Sequence, residues 1–129
     1  ELRLIPNGSG SKFILEMEPG EGKLVAFYPE KPGKISLVLP ERVKAGGRFN
    51  VSVQIRGTGG NEFQGNLPVS IDVYDAGGNL SRVSDTYAAQ NGKLEAIIHT
   101  AVNDLKGNTK ILVTELATGT STEKDIFIH

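Results

Sequence analysis

Side chains able to carry chemistry fall in a few short stretches of this sequence. Glu16, Glu18 and Glu21 lie together in the segment ILEMEPGEG. A carboxylate pair that cleaves a glycosidic bond must flank that bond from opposed positions in a cleft. Glu16 and Glu18 are two residues apart, so on a strand they share one face, where like charges stay in water. Asp72, Asp75 and Asn79 surround DVYDAGGN and offer oxygen ligands of the kind calcium takes. Their spacing fits no EF-hand loop. Asp and Asn beside glycine also bond their own backbone in turns, and that is the role expected of them here. His99 and His129 are the only histidines. Neither has a second ligand nearby in sequence, and no Gly-x-Ser-x-Gly elbow accompanies them. The stretch GTGGNEFQG lacks the Gly-Lys-Ser/Thr ending of a phosphate loop and reads as a connection. Sequons at Asn7, Asn50 and Asn79 point to no chemistry of their own.

Aromatic side chains raise a different chemistry, the stacking of sugar rings. The chain has no Trp, 3 Tyr and 5 Phe. Tyr74 and Tyr87 are the candidate ligand-binding residues, expected near loop ends on the outer face, and Tyr28 closes an N-terminal hairpin. Tyrosine is also an ordinary strand residue that needs no ligand.

Whatever these residues do, strands must position them. Apolar residues recur at every second position, and no stretch shows the spacing of an amphipathic helix. Phe49, Val51, Val53 and Ile55 alternate with polar residues, as do Val69, Ile71 and Val73. Such alternation marks strands with one face buried and one in water. Further strands are expected over residues 35–39, 80–83 (a weaker one), 94–99, 111–116 and 126–128. Upstream of Lys34, residues 2–5, 13–17 and 24–28 read as strands, the last two joined by the turn EPGEG. The break PEKPGK then divides the chain into an N-terminal hairpin segment, 1–33, and a β-domain, 34–129. That hairpin segment reads as the end of an upstream β-domain. The expected core comprises Leu37, Val51, Val53, Ile55, Val69, Ile71, Val73, Leu94, Ile98, Ile111, Val113 and Ile126.

Composition narrows the classes. The 129 residues fit one domain with a workable core. The absence of cysteine excludes disulfides and thiolate metal sites. A formal net charge of −1 gives no electrostatic footprint for nucleic acid. No run approaches the length of a membrane span. The sequence opens Glu1-Leu2-Arg3 with no initiating Met and no signal peptide, the start expected of an excised or processed piece.

Seven strands after Lys34, punctuated by turns about every ten residues, predict an all-β, immunoglobulin-like antiparallel β-sandwich with an extra N-terminal β-hairpin; a jelly roll is the rival topology. The segment LPVSIDVYDAGGNLSR, followed by AVNDLKGNTKILVTELATG, carries a Pro-Val-x-Ile-x-Val strand, an Asp-x-Gly-Gly turn, an Asn-Asp-x-x-Gly turn and a strand ending in Ala-Thr-Gly. In this order the motifs resemble the bacterial immunoglobulin-like accessory modules found C-terminal in secreted multidomain glycoside hydrolases. The likeness covers roughly residues 39–128. It departs from that pattern at Thr109-Lys110, where such modules often carry an aromatic residue. The resemblance implies a non-catalytic module, extracellular or periplasmic, that spaces, orients or packs against a catalytic domain of the same polypeptide. The alternatives are a carbohydrate-binding module with polysaccharide as partner, or an adhesin-type surface repeat. It implies no cofactor, no metal, no nucleic-acid partner and no membrane insertion.

Overall fold

The computed structural model describes residues 30–129, and every regular element among them is a β-strand. The strands are β1 (Pro32–Val38), β2 (Arg42–Val43), β3 (Arg48–Gly57), β4 (Asn66–Tyr74), β5 (Asp85–Gln90), β6 (Lys93–His99), β7 (Gly107–Glu115) and β8 (Ser121–Ile128). They form one eight-stranded sheet in the order β1-β3-β6-β5-β4-β7-β8-β2. Residues 1–29 of the N-terminal hairpin segment, with Glu16, Glu18, Glu21 and Tyr28, lie outside the described residues, and its last two residues, Pro32 and Gly33, open β1.

The sheet is continuous but pinched. β5 and β6 share a single pair, Gln90 with Lys93, at their connecting turn. That turn is Asn91-Gly92, with φ of 51° and 75°. Two consecutive left-handed residues give the tight hairpin whose twist matches its strands, and an Asn-Gly pair adopts it readily. Beyond the turn the two strands part. β6 follows β3 from Gln54 back to Arg48, while β5 follows β4 from Asn66 to Ile71. The sheet therefore consists of two blocks, β1-β3-β6 and β5-β4-β7-β8-β2, and it curls so that one face of each lines the same core.

Alternation selects that face. In β4, Leu67, Val69, Ile71 and Val73 are buried while Ser70, Asp72 and Tyr74 are only partly covered. β3 buries Phe49, Val51, Val53 and Ile55 in the same way, and β7 buries Ile111 and Val113. Eleven of the twelve expected core residues are buried; Leu94 is half-buried and packs against the cluster. Their burial is the main favourable term in the fold, at about 1.5–3 kcal/mol for each fully buried Val, Leu or Ile.

Four expectations are corrected. The weak strand over 80–83 does not form. Leu80 makes one isolated bridge to Tyr74, and the strand lies later, at Asp85–Gln90. Serines explain the difference, because Ser84 Oγ accepts from the Val73 amide at 2.9 Å and Ser81 Oγ from the Val83 amide at 3.4 Å. Side chains thus take bonds that a strand would have made. The expected core lacks Phe63, which lies in the glycine-rich connection, is 0% exposed and is the largest fully buried side chain among the described residues. The sheet is mixed instead of wholly antiparallel. Within the loop PERVKAGGR, the two-residue β2 runs parallel to the end of β8, pairing Arg42 with Phe127 and Val43 with Ile128. Finally, eight strands replace the expected seven.

Candidate functional site

Of the carboxylates singled out by spacing, Asp75 is used by the fold itself. Asp75 Oδ1 accepts from the amides of Gly77 and Asn79, both at 2.9 Å. This is the turn role, with the carboxylate closing its own loop. Asp72 stands on the outer face of β4, opposite Leu112. Among the described residues there is no group of three or more His, Asp or Glu side chains placed to hold a metal ion. In the NDLKGN turn, Asp104 Oδ2 accepts from the Ala101 amide at 2.7 Å. His99 is exposed at the end of β6, opposite Arg48.

One carboxylate escaped the sequence reading. Glu115 ends β7 on its inner face and is 1% exposed. It accepts from the Ala117 amide at 2.5 Å and the Thr118 amide at 3.1 Å, and also from the Thr118 hydroxyl. A buried carboxylate needs donors for its oxygens, and the turn supplies three of them. Its chemistry is structural: it folds the ELATGT turn that joins β7 to β8. The signal in the sequence was Thr118 three residues after Glu115.

The two candidate tyrosines lie on opposite faces. Tyr74 ends β4 on the outer face, opposite Lys110 of β7 and bridged to Leu80. Tyr87 pairs with Val69, an inward residue, and packs against the core instead of projecting from the outer face. Burial, with the Asp85 carboxylate adding to it, pushes the Tyr87 hydroxyl pKa above 10.0. The sheet separates the two rings, so they do not form one platform.

A different aromatic shares the face of Tyr74. Phe127 of β8 is 45% exposed and pairs with Asn108 of β7. Lys110 lies two residues along from Asn108, between Tyr74 on one side and Asp125 on the other. Lys110 Nζ also reaches Glu123 Oε2 at 3.7 Å, an exposed pair that contributes little to stability. The outer face of β4-β7-β8 thus carries two aromatic rings with charged and amide side chains between them.

A second apolar feature sits at one end of the sheet. In the β6–β7 connection Val102 is 80% and Leu105 is 53% exposed. Gly46 makes room for Val102, because a Cβ there would come within 2.8 Å of its methyl group. Leu105 leans towards Gly77 of the Asp75 turn.

No family model matches the chain, and no curated protein matches it. The chain shows distant likeness to three kinds of solved structure. A β-glucosidase from Listeria innocua in complex with isofagomine is 12% identical with a TM-score of 0.49, over 96% of this chain and 20% of that one. Spo0M, a sporulation control protein from Bacillus subtilis, is 11% identical with a TM-score of 0.47, over 74% of this chain and 49% of that one. The alkylpurine DNA glycosylase AlkC of Pseudomonas fluorescens is 14% identical with a TM-score of 0.47, over 74% and 30%. This chain therefore spans about a fifth of the β-glucosidase and about half of Spo0M. Likenesses this remote carry no inference about activity, and the three proteins differ in function.

Proposed function

We propose that the chain is a non-catalytic immunoglobulin-like accessory module that packs against a neighbouring domain of a longer exported bacterial polypeptide, one that acts on glycans. The strand order supports the immunoglobulin-like reading. One block is β1-β3-β6, the other carries β4, β7 and β8 with β5 at its edge, and the two share one core. The early crossover of β2 onto β8, in parallel, fits the same architecture. The motif order from Pro68 to Gly119 supports the kind of parent protein, exported and glycan-active.

The observation that carries the accessory role is how the side chains are used. Asp75, Asp104 and Glu115 are engaged in turn hydrogen bonds. Val102 and Leu105 are left in water at one end of the sheet. Exposed apolar residues in one connection mark a contact surface more than a reaction site.

The test is Val102→Asp combined with Leu105→Asp, melted both in the 129-residue chain and in the longer polypeptide that carries its neighbouring domain. In the isolated chain the change should stay within about 0.5 kcal/mol, as for other surface substitutions. In the longer polypeptide it should lower the melting temperature and increase protease cleavage between the domains. Equal effects in both contexts would reject the packing role.

A further inference from the structure

We infer that the outer face of β4-β7-β8 binds a neutral, extended β-linked polysaccharide, with Tyr74 and Phe127 as the two stacking rings. The inference uses a different face from the packing end at Val102 and Leu105 and does not rest on that role.

The register places the rings. Tyr74 is opposite Lys110, Phe127 is opposite Asn108, and both partners belong to β7. The rings are therefore two strands apart and two residues out of step. With standard strand spacing and rise, their Cα atoms are about 12 Å apart. In a flat β-1,4-linked chain every second pyranose presents the same face, and the repeat of such a pair is close to this separation. Both residues stand on the outer face, Phe127 exposed and Tyr74 half-buried, so the two rings are reached from one surface. Leu80, 59% exposed, extends the apolar contact beside Tyr74.

The groups between the rings choose among ligands. Lys110 and Asp125 are directly opposite each other, and Asn108 lies next to Phe127. Together they supply donors and acceptors for hydroxyl groups. With Arg42 beside Phe127 and Glu123 paired to Lys110, positive and negative groups balance along the strip, which lacks the sign needed to attract an anionic or cationic polymer. A protein partner fits less well, because the centres of protein interfaces are depleted of Lys and Asp, and here both occupy the centre. Separated aromatics with a polar strip between them suit a ligand that is apolar on its ring faces and polar at its rim.

The sequence pointed to Tyr87 as the second ring, because alternation within each strand does not relate one strand to another. The pairing replaces it with Phe127, two strands from Tyr74.

The experiment is titration calorimetry of the 129-residue chain with cellohexaose and xylohexaose, and with maltohexaose as the α-linked comparison. Saturable binding is expected for at least one β-linked hexamer and not for maltohexaose. Phe127→Ala and Tyr74→Ala should each weaken it roughly tenfold, about 1.4 kcal/mol. Phe127→Tyr should retain it, and Tyr87→Phe, on the inner face, should leave it unchanged. Lys110→Ala, an exposed change that spares both rings, gives a second reading from the same strip and should also weaken binding. Absence of binding to both β-linked hexamers overturns the assignment, as does binding that survives Phe127→Ala or that is equal for maltohexaose. Self-association of the chain that Phe127→Ala abolishes, without sugar binding, would give the face to a protein partner and equally overturn it.

Discussion

The Thr118 amide and hydroxyl both donate to the carboxylate of Glu115, three residues earlier, and that carboxylate is almost wholly out of water. The Ala117 amide donates to the other carboxylate oxygen. The turn from β7 to β8 is thus folded around a buried, hydrogen-bonded carboxylate. Glu115→Gln should destabilise the chain by about 1.5–3 kcal/mol, because an amide replaces one acceptor with a donor facing donors. Glu115→Ala should cost at least as much. Urea unfolding with an unchanged m-value checks both, and a cost below about 0.5 kcal/mol would show that the turn does not depend on the Glu115 hydrogen bonds.

Thr109 presents the opposite case. Its side chain is buried on the inner face of β7, opposite Ile126, and its hydroxyl finds no hydrogen-bond partner among the described residues. A buried hydroxyl without a partner loses about 1–3 kcal/mol of desolvation. Thr109→Val keeps the shape and removes that cost, so the midpoint of unfolding should rise. The outward Thr114→Val should leave it almost unchanged.

Two glycines with similar backbone angles should respond differently to a methyl group. Gly92 has φ of 75° and Gly78 has φ of 82°. At Gly78 a Cβ meets nothing within 4 Å, whereas at Gly92 it would lie 2.1 Å from the Ile55 carbonyl oxygen. Gly78→Ala should therefore cost about 1–2 kcal/mol for the left-handed conformation alone. Gly92→Ala should cost clearly more, since the Ile55 amide also donates to the Gly92 carbonyl at 2.7 Å and the turn cannot shift without breaking that bond. Thermal melts of the two variants, measured side by side, give the comparison.

Tyr87 contributes to the loss of stability at alkaline pH. Its hydroxyl is held protonated by burial and by Asp85. The folded pKa is raised above the unfolded value, so the folded state keeps this proton more tightly. The stability linked to it is complete below pH 10 and is lost as pH rises through the folded pKa. Ultraviolet titration of the phenolates should show one group ionising late, and Tyr87→Phe should remove it and flatten the fall in melting temperature above pH 10. Normal titration of every tyrosine would contradict the inward placement of Tyr87.

What the sequence determined was the period. Alternation fixed which residues of β3, β4 and β7 face inward, because successive side chains on a strand must point to opposite sides. The Asn91-Gly92 and Asp75 turns were legible for the same local reason, that their conformations depend on residues close in sequence. Tertiary structure decided whatever depends on strand pairing. It buried Phe63 from a loop that read as a glycine-rich connection. It turned Tyr87 inward by setting it opposite Val69, and it made a strand of Arg42 and Val43 only because the end of β8 lies beside them. It also brought Phe127 onto the face of Tyr74, fifty-three residues earlier in the chain. Alternation is a property of each strand alone, while register and strand order are set by the free energy of closing one core, and no local pattern encodes that sum.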